Sequence, residues 1–218
     1  MRTAADTAPQ APLDHPASMR RRLQEATQVQ HRNVERHFAL GDCGSTMTGY
    51  RRLLETLWGF QAPLETQLMQ VDWQGSGIVM AARCKAAWLR ADLLYLGLDA
   101  ASIAQLAQCD TLPPLKDMAA GLGALYVLEG STLGGQVILK ILRTRLAIDP
   151  EAGARFFASY GRQIGVMWRD YLEVLECAAR ALPVADAIEQ SALDTFMAFD
   201  GWFEKCARRA EMAARADV

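Results

Sequence analysis

The sequence predicts an all-α fold in one domain. Apolar residues recur at three- and four-residue spacing along nearly the whole chain. No stretch alternates apolar and polar residues convincingly enough for a strand. The 218 residues, 51% of them hydrophobic, suit a single domain with a sizeable core and argue against general disorder. With a formal net charge of -2 and scattered Lys and Arg, no basic stripe points to nucleic acid.

Residues 1–18, rich in Ala, Pro and Thr, read as a disordered lead-in without the apolar core of a signal peptide. A helical domain is expected over 19–210, with a tail at 211–218. Its first helix starts after Ser18 and runs to about Leu40, with Leu23, Thr27, Val34 and Phe38 on one side. Gly41 to Ser45 form a loop. The second helix runs from about Thr46 to Gln70, with Pro63 as a kink. A third covers about Val79 to Leu96, its polar side formed by Arg83, Lys85 and Arg90. A short helix near Ala101–Gln108 precedes the break at Pro113-Pro114. A glycine-bearing helix then spans about Leu115 to Leu146. Asp149-Pro150 predicts the start of another, reaching about Leu182. The last runs from about Val184 to Ala210. No run of 18 apolar residues exists, so no membrane span is expected. Five Cys (Cys43, Cys84, Cys109, Cys177 and Cys206), with no C-x-x-C pair, favour a reducing cytoplasm over disulfides or zinc. The protein is expected to be a monomer.

Tyr126 to Lys140 is the most informative segment. It has a helical pattern yet carries Gly130, Gly134 and Gly135. Each Gly in a helix interior costs roughly 0.5–1 kcal/mol relative to Ala. Gly130 and Gly134 are four apart and share a face. Spacing alone admits two readings: close packing or a kink, and a flat ligand lying on bare backbone.

Three His occur: His15, His31 and His37. His15 is in the lead-in. His31 and His37 lie about 120° apart around the first helix, so one metal cannot take both. Both flank its apolar side, and periodicity favours His31 only slightly. A half-buried His without a ligand role remains an alternative for each.

The glycine segment Glu129-Gly-Ser-Thr-Leu-Gly-Gly135 resembles the distal helix of bacterial heme oxygenases, with Ser131 where many members carry Asp. Leu23-Gln-Glu-Ala-Thr27-Gln-Val-Gln-His31 resembles the same family's proximal segment, whose His binds the iron. Tyr50 to Glu65 and Phe156 to Trp168 are also similar to family helices. The resemblance covers about Met19 to Phe203.

It implies heme between a proximal helix and a glycine-kinked distal helix. It makes His31 the iron ligand and His37 incidental. It places Gly130, Ser131, Gly134 and Gly135 on the catalytic side, and Thr27, Glu35, Tyr126, Arg22, Lys140, Tyr160 and Phe199 among residues that bind heme. Tyr160, Trp168, Phe196 and Phe199 read first as ordinary core packing, which is compatible with some of them also walling the heme pocket. Propionate partners are sought among Arg20, Arg21, Arg22, Lys140, Arg155 and Arg162. The implied activity is O2- and electron-dependent cleavage of heme b, both substrate and cofactor, to biliverdin, CO and ferrous iron. With no flavin or nicotinamide fingerprint, electrons would come from a ferredoxin or reductase. A bacteriophytochrome is one recipient of biliverdin in the branch it resembles. The alternatives are a heme-binding or heme-trafficking protein without turnover, a protein of this fold with another ligand, and a purely structural bundle.

Overall fold

The computed structural model describes residues 18–39, 45–180 and 182–216, and all regular structure among them is helical. The expected lead-in therefore lies outside the described residues, apart from Ser18.

Ser18 caps α1 (Met19–Ala26), its Oγ accepting from the Arg21 N–H at 3.3 Å. Glu176 adds a second cap from across the fold, its carboxylate accepting from the Met19 and Arg20 N–H groups at 2.9 and 3.0 Å. The single helix expected here is two, because the chain breaks at Thr27 before α2 (Gln28–Ala39). The Thr27 hydroxyl donates to the Leu23 carbonyl at 2.7 Å, a local bond that competes with regular helix.

α3 (Met47–Leu68) is capped by Thr46 and carries Pro63 inside it. Proline leaves the carbonyl four residues earlier without its usual donor. That carbonyl, Gly59 O, instead accepts from Cys109 N–H at 2.8 Å. The helix expected from Val79 is a 3-10 turn at Met80–Ala82 followed by α4 (Ala86–Tyr95). Glu65 causes the restart: its carboxylate accepts from the Lys85 and Ala86 N–H groups at 2.6 and 3.0 Å. α5 (Ala100–Ala104) is capped by Asp99.

α6 (Met118–Leu146) begins at an Asp117 cap and ends at Ala147, φ 53°. It is helical without interruption through all three glycines. By length and composition α6 could cross a membrane, but 56% of its most apolar window is buried inside the fold. The long helix expected from Asp149 does not form. Residues 150–153 turn, α7 (Arg155–Ala158) is one turn long, and a 3-10 turn at Gly161–Gln163 leads into α8 (Ile164–Ala178). Asp92 holds this segment from α4, accepting from the Arg155 and Phe156 N–H groups at 2.9 and 2.8 Å. Ser159 adopts φ 50°, which no continuous helix allows. α9 (Leu182–Ala216) carries helix through most of the expected C-terminal tail.

The core forms where α6 crosses α9. A Cβ on Gly123 would come within 2.4 Å of the Ile188 carbonyl, so glycine permits that approach. Leu122, Leu125, Ile188 and Ala192 are fully buried around it. α2 lies on the later part of α9, where Phe38 stacks on Phe199 at 6.4 Å between ring centroids.

Candidate functional site

The two halves of α6 differ. From Gly121 to Glu129 every residue except Tyr126 is buried. From Ser131 onward burial is one-sided. A Cβ at Gly130 or Gly134 would meet nothing within 4 Å, whereas one at Gly135 would meet Phe157 O at 3.4 Å. Gly130 and Gly134 lie about 40° apart on the helix, and Gly135 about 140° from Gly130. Gly135 therefore packs against α7, away from the open face where it was expected. Leu133 and Val137 flank that open face and are 45% and 63% exposed. A core helix thus presents bare backbone bordered by uncovered apolar side chains.

α2 supplies the imidazole. The His31 side chain is 58% exposed, with Nδ1 3.5 Å from Glu35 Oε1 one turn later. Its ring meets the Phe196 ring from α9 edge-on at 6.0 Å. Thr27, buried, approaches the Tyr126 hydroxyl, whose pKa is raised by burial while Thr27 and the Arg20 charge oppose the rise. α1 and α6 are thereby joined at Thr27 and Tyr126. One turn beyond these residues along each chain segment stand His31 and Gly130.

His37 is engaged elsewhere. Its Nε2 lies 2.6 Å from Asp200 Oδ1, and its ring packs on Phe203 at 5.2 Å. The Ser131 hydroxyl donates to the Leu128 carbonyl at 2.8 Å. The Arg22 guanidinium is held on α9 by Glu189 and Asp186, at 2.5 and 2.6 Å. These two carboxylates occupy the guanidinium that the resemblance offers as a propionate partner. Arg155 lies over the Trp88 ring at 5.2 Å. Arg20, Lys140 and Arg162 are exposed. Phe199 is buried between Phe60 and Phe203, with centroid distances of 4.7 and 4.6 Å. Trp168 lies against Tyr126 and Tyr171.

Tyr160 is packed into the fold, in line with the core-packing reading of its sequence position. Its hydroxyl donates to Glu129 Oε1 at 2.7 Å, inside a buried cluster that also holds Arg83 and Lys85. Burial, followed by the Glu129 carboxylate, pushes the Tyr160 hydroxyl far up, so it stays a donor. The sequence pattern puts Arg83 and Lys85 on the polar side of a helix, yet they are 6% and 2% exposed. Their partner Glu129 is more than 40 residues away in sequence, beyond the reach of local periodicity.

Among the described residues, no group of three or more His, Cys, Asp or Glu side chains could hold a metal ion. Cys84, Cys109, Cys177 and Cys206 are free thiols, and Cys43 lies outside the described residues. One exposed imidazole, His31, is a donor set that by itself would suit only a metal already carried in a macrocycle.

Fold and site together define an all-helical protein with an exposed imidazole on α2 and a bare-backbone glycine face on α6. The heme oxygenase family model matches residues 17–205, and the chain belongs to that family, whose enzymes degrade heme. A heme oxygenase of Xanthomonas campestris pv. campestris is 37% identical over 143 residues, covering 63% of this chain and 78% of that protein. The NO- and CO-bound heme oxygenase of Neisseria meningitidis superposes with a TM-score of 0.75 at 20% identity, over 87% of this chain and 92% of that one. For the heme oxygenase of Leptospira interrogans the TM-score is 0.69 at 18% identity, over 87% and 100%. Heme oxygenase-1 of the cyanobacterium Synechocystis, in complex with heme, gives 0.62 at 16% identity, over 92% and 99%. These likenesses share the all-helical fold.

Proposed function

We propose that this heme oxygenase holds heme b between α2 and the Gly130–Gly134 face of α6, with His31 as the axial ligand. The observation that carries the reading is the open space in front of Gly130 and Gly134, bordered by the exposed apolar side chains of Leu133 and Val137. When bound, heme supplies the iron that activates O2 and the ring that is opened, giving biliverdin, CO and ferrous iron.

The residues of the chain supply the surroundings. His31 presents Nε2, because Nδ1 faces Glu35. Glu35 would favour the tautomer with its proton on Nδ1, leaving Nε2 for the iron. Gly130 and Gly134 let a planar ring approach the helix backbone, and Leu133 and Val137 keep water from its edge. The Ser131 hydroxyl donates its hydrogen bond to the Leu128 carbonyl, so its oxygen is left as an acceptor that orders water. Arg20 acts on Tyr126 and is our choice among the cations for a propionate. Lys140 is the second. A ferredoxin or reductase supplies electrons, a bacteriophytochrome is one acceptor of the biliverdin, and the protein works as a cytoplasmic monomer.

Purified protein mixed with hemin should show a Soret band. With ascorbate or a reductase and O2, that band should give way to biliverdin absorbance. A heme spectrum that persists through reduction in air would favour a heme-binding protein without turnover, and no spectral change with hemin would sink the site itself.

A further inference from the structure

Glu129 directly precedes Gly130, and its side chain is 1% exposed. Its Oε1 accepts from Lys85 Nζ at 2.9 Å and from the Tyr160 hydroxyl at 2.7 Å, and its Oε2 accepts from Arg83 Nη1 at 3.0 Å. Each donor is itself tied to another part of the fold. Arg83 Nη1 also donates to the Met167 carbonyl on α8 at 3.1 Å. Lys85 Nζ donates to the Arg83 carbonyl at 3.3 Å and sits 5.1 Å from the Tyr160 ring centroid. Tyr160 meets Trp88 of α4 edge-on at 5.7 Å. The Lys85 N–H donates to Glu65, which also accepts from Gln61 Nε2 at 2.6 Å on α3. One carboxylate on α6 is thus fixed against α3, α4, the Gly161 turn and α8.

Such a cluster is an expensive way to stabilise a core. Buried ion pairs often do no better than apolar residues of the same volume, and what they add best is a unique arrangement. α6 needs that here. Its Gly130–Gly134 face has no side chains to key it in rotation, and nothing lies within 4 Å of where they would be. Glu129 points about 100° away from Gly130 and about 140° from Gly134 around the helix. Any turn of α6 that moved the glycine face would pull Glu129 from all three donors.

We propose that Glu129 is a positioning residue. Held by Arg83, Lys85 and Tyr160, it sets the rotation of α6 and so the distance and direction from which the Gly130–Gly134 backbone meets heme. It does not touch heme itself. The inference rests on the heme-cleaving reading, so its test includes a measurement that needs binding alone.

The test uses the full chain loaded with hemin, as wild type, Glu129→Gln and Tyr160→Phe. Glu129→Gln keeps the shape and removes the charge. Tyr160→Phe removes one donor and keeps the ring on Trp88. Circular dichroism establishes that each is folded. Infrared spectra of the reduced CO complexes then report the surroundings of the distal ligand without any turnover. The C–O stretching band should shift or split in Glu129→Gln, and move less in Tyr160→Phe. Under turnover, kcat should fall roughly ten- to a hundredfold with KM nearly unchanged, as expected for a small misplacement of reacting groups. The share of minor biliverdin isomers should rise. A folded Glu129→Gln protein with the wild-type C–O band and isomer ratio would overturn the proposal. If Glu129→Gln does not fold, an unaltered band in Tyr160→Phe would overturn it equally. Wild-type protein that binds heme but makes no biliverdin would count against the functional reading, while the infrared comparison still decides the role of Glu129.

Discussion

His37 Nε2 lies 2.6 Å from Asp200 Oδ1, binding α2 to α9 with the imidazole that the sequence left as a rival to His31. The two side chains are 19% and 26% exposed. His31, two turns earlier, keeps its ring in the open.

Replacing the two histidines should therefore have opposite consequences. His31→Ala should abolish the His–heme absorption and resonance Raman signature while leaving the thermal melt nearly unchanged. His37→Ala should keep that signature and lower stability by about 1 kcal/mol, the usual worth of a hydrogen bond at a partly exposed site. Loss of the iron ligand in His37→Ala alone would reverse the assignment.

The glycines of α6 should separate in the same way. Gly130→Leu and Gly134→Leu should fold as well as wild type, or gain up to about 1 kcal/mol from helix propensity. Both should lose heme affinity in hemin titrations. Gly135→Leu should cost about 1–3 kcal/mol by overpacking, because its Cβ already reaches Phe157 O at 3.4 Å. Wild-type heme affinity in Gly130→Leu and Gly134→Leu would show that heme lies elsewhere.

Ser131→Ala should slow steady-state biliverdin formation by less than roughly tenfold, since a hydroxyl contributes about 1 kcal/mol through its hydrogen bonds. Its proton is already committed to the Leu128 carbonyl. A loss beyond about a hundredfold would mean that Ser131 delivers the proton itself.

Asp92 gives the fold a pH dependence. Burial pushes its carboxyl from 3.8 up to about 6, against the opposing effect of the Phe156 and Arg155 N–H groups and the Arg155 charge. Between these two values the folded protein holds a proton that the unfolded chain has released. This group's contribution to stability is therefore fully present below about pH 4 and is lost as pH rises through 6. Asp92→Asn cannot titrate. In urea melts, wild type should lose up to about 3 kcal/mol relative to Asp92→Asn between pH 4 and pH 7. Parallel pH curves for the two proteins would count against it.

Helical period and length were enough to locate α3, α6 and α9, α3 and α9 by an apolar stripe and α6 by its long apolar run. They failed where a distant side chain decides the backbone. Asp149-Pro150 looked like a helix start, but Asp92 on α4 pins residues 155 and 156, and Ser159 at φ 50° ends α7 after one turn. Arg83 and Lys85 carry the charges of a solvated face, and only Glu129 makes them core residues. Gly135 could have been separated from its neighbours in advance, since about 140° of helix rotation divides it from Gly130. The engagement of Arg22 by Asp186 and Glu189 could not, because no local pattern joins residues so far apart.

The close crossing at Gly123 has a consequence for motion. It fastens the first half of α6 to α9, backbone against side chain and backbone, while the half after Gly130 is covered on one side only. Amide hydrogens of residues 121–129 should then exchange with solvent only in global unfolding, and those of residues 131–140 through local opening. Saturation with hemin should slow the second group and leave the first unchanged, so that α6 becomes uniformly protected only when its ligand completes the packing.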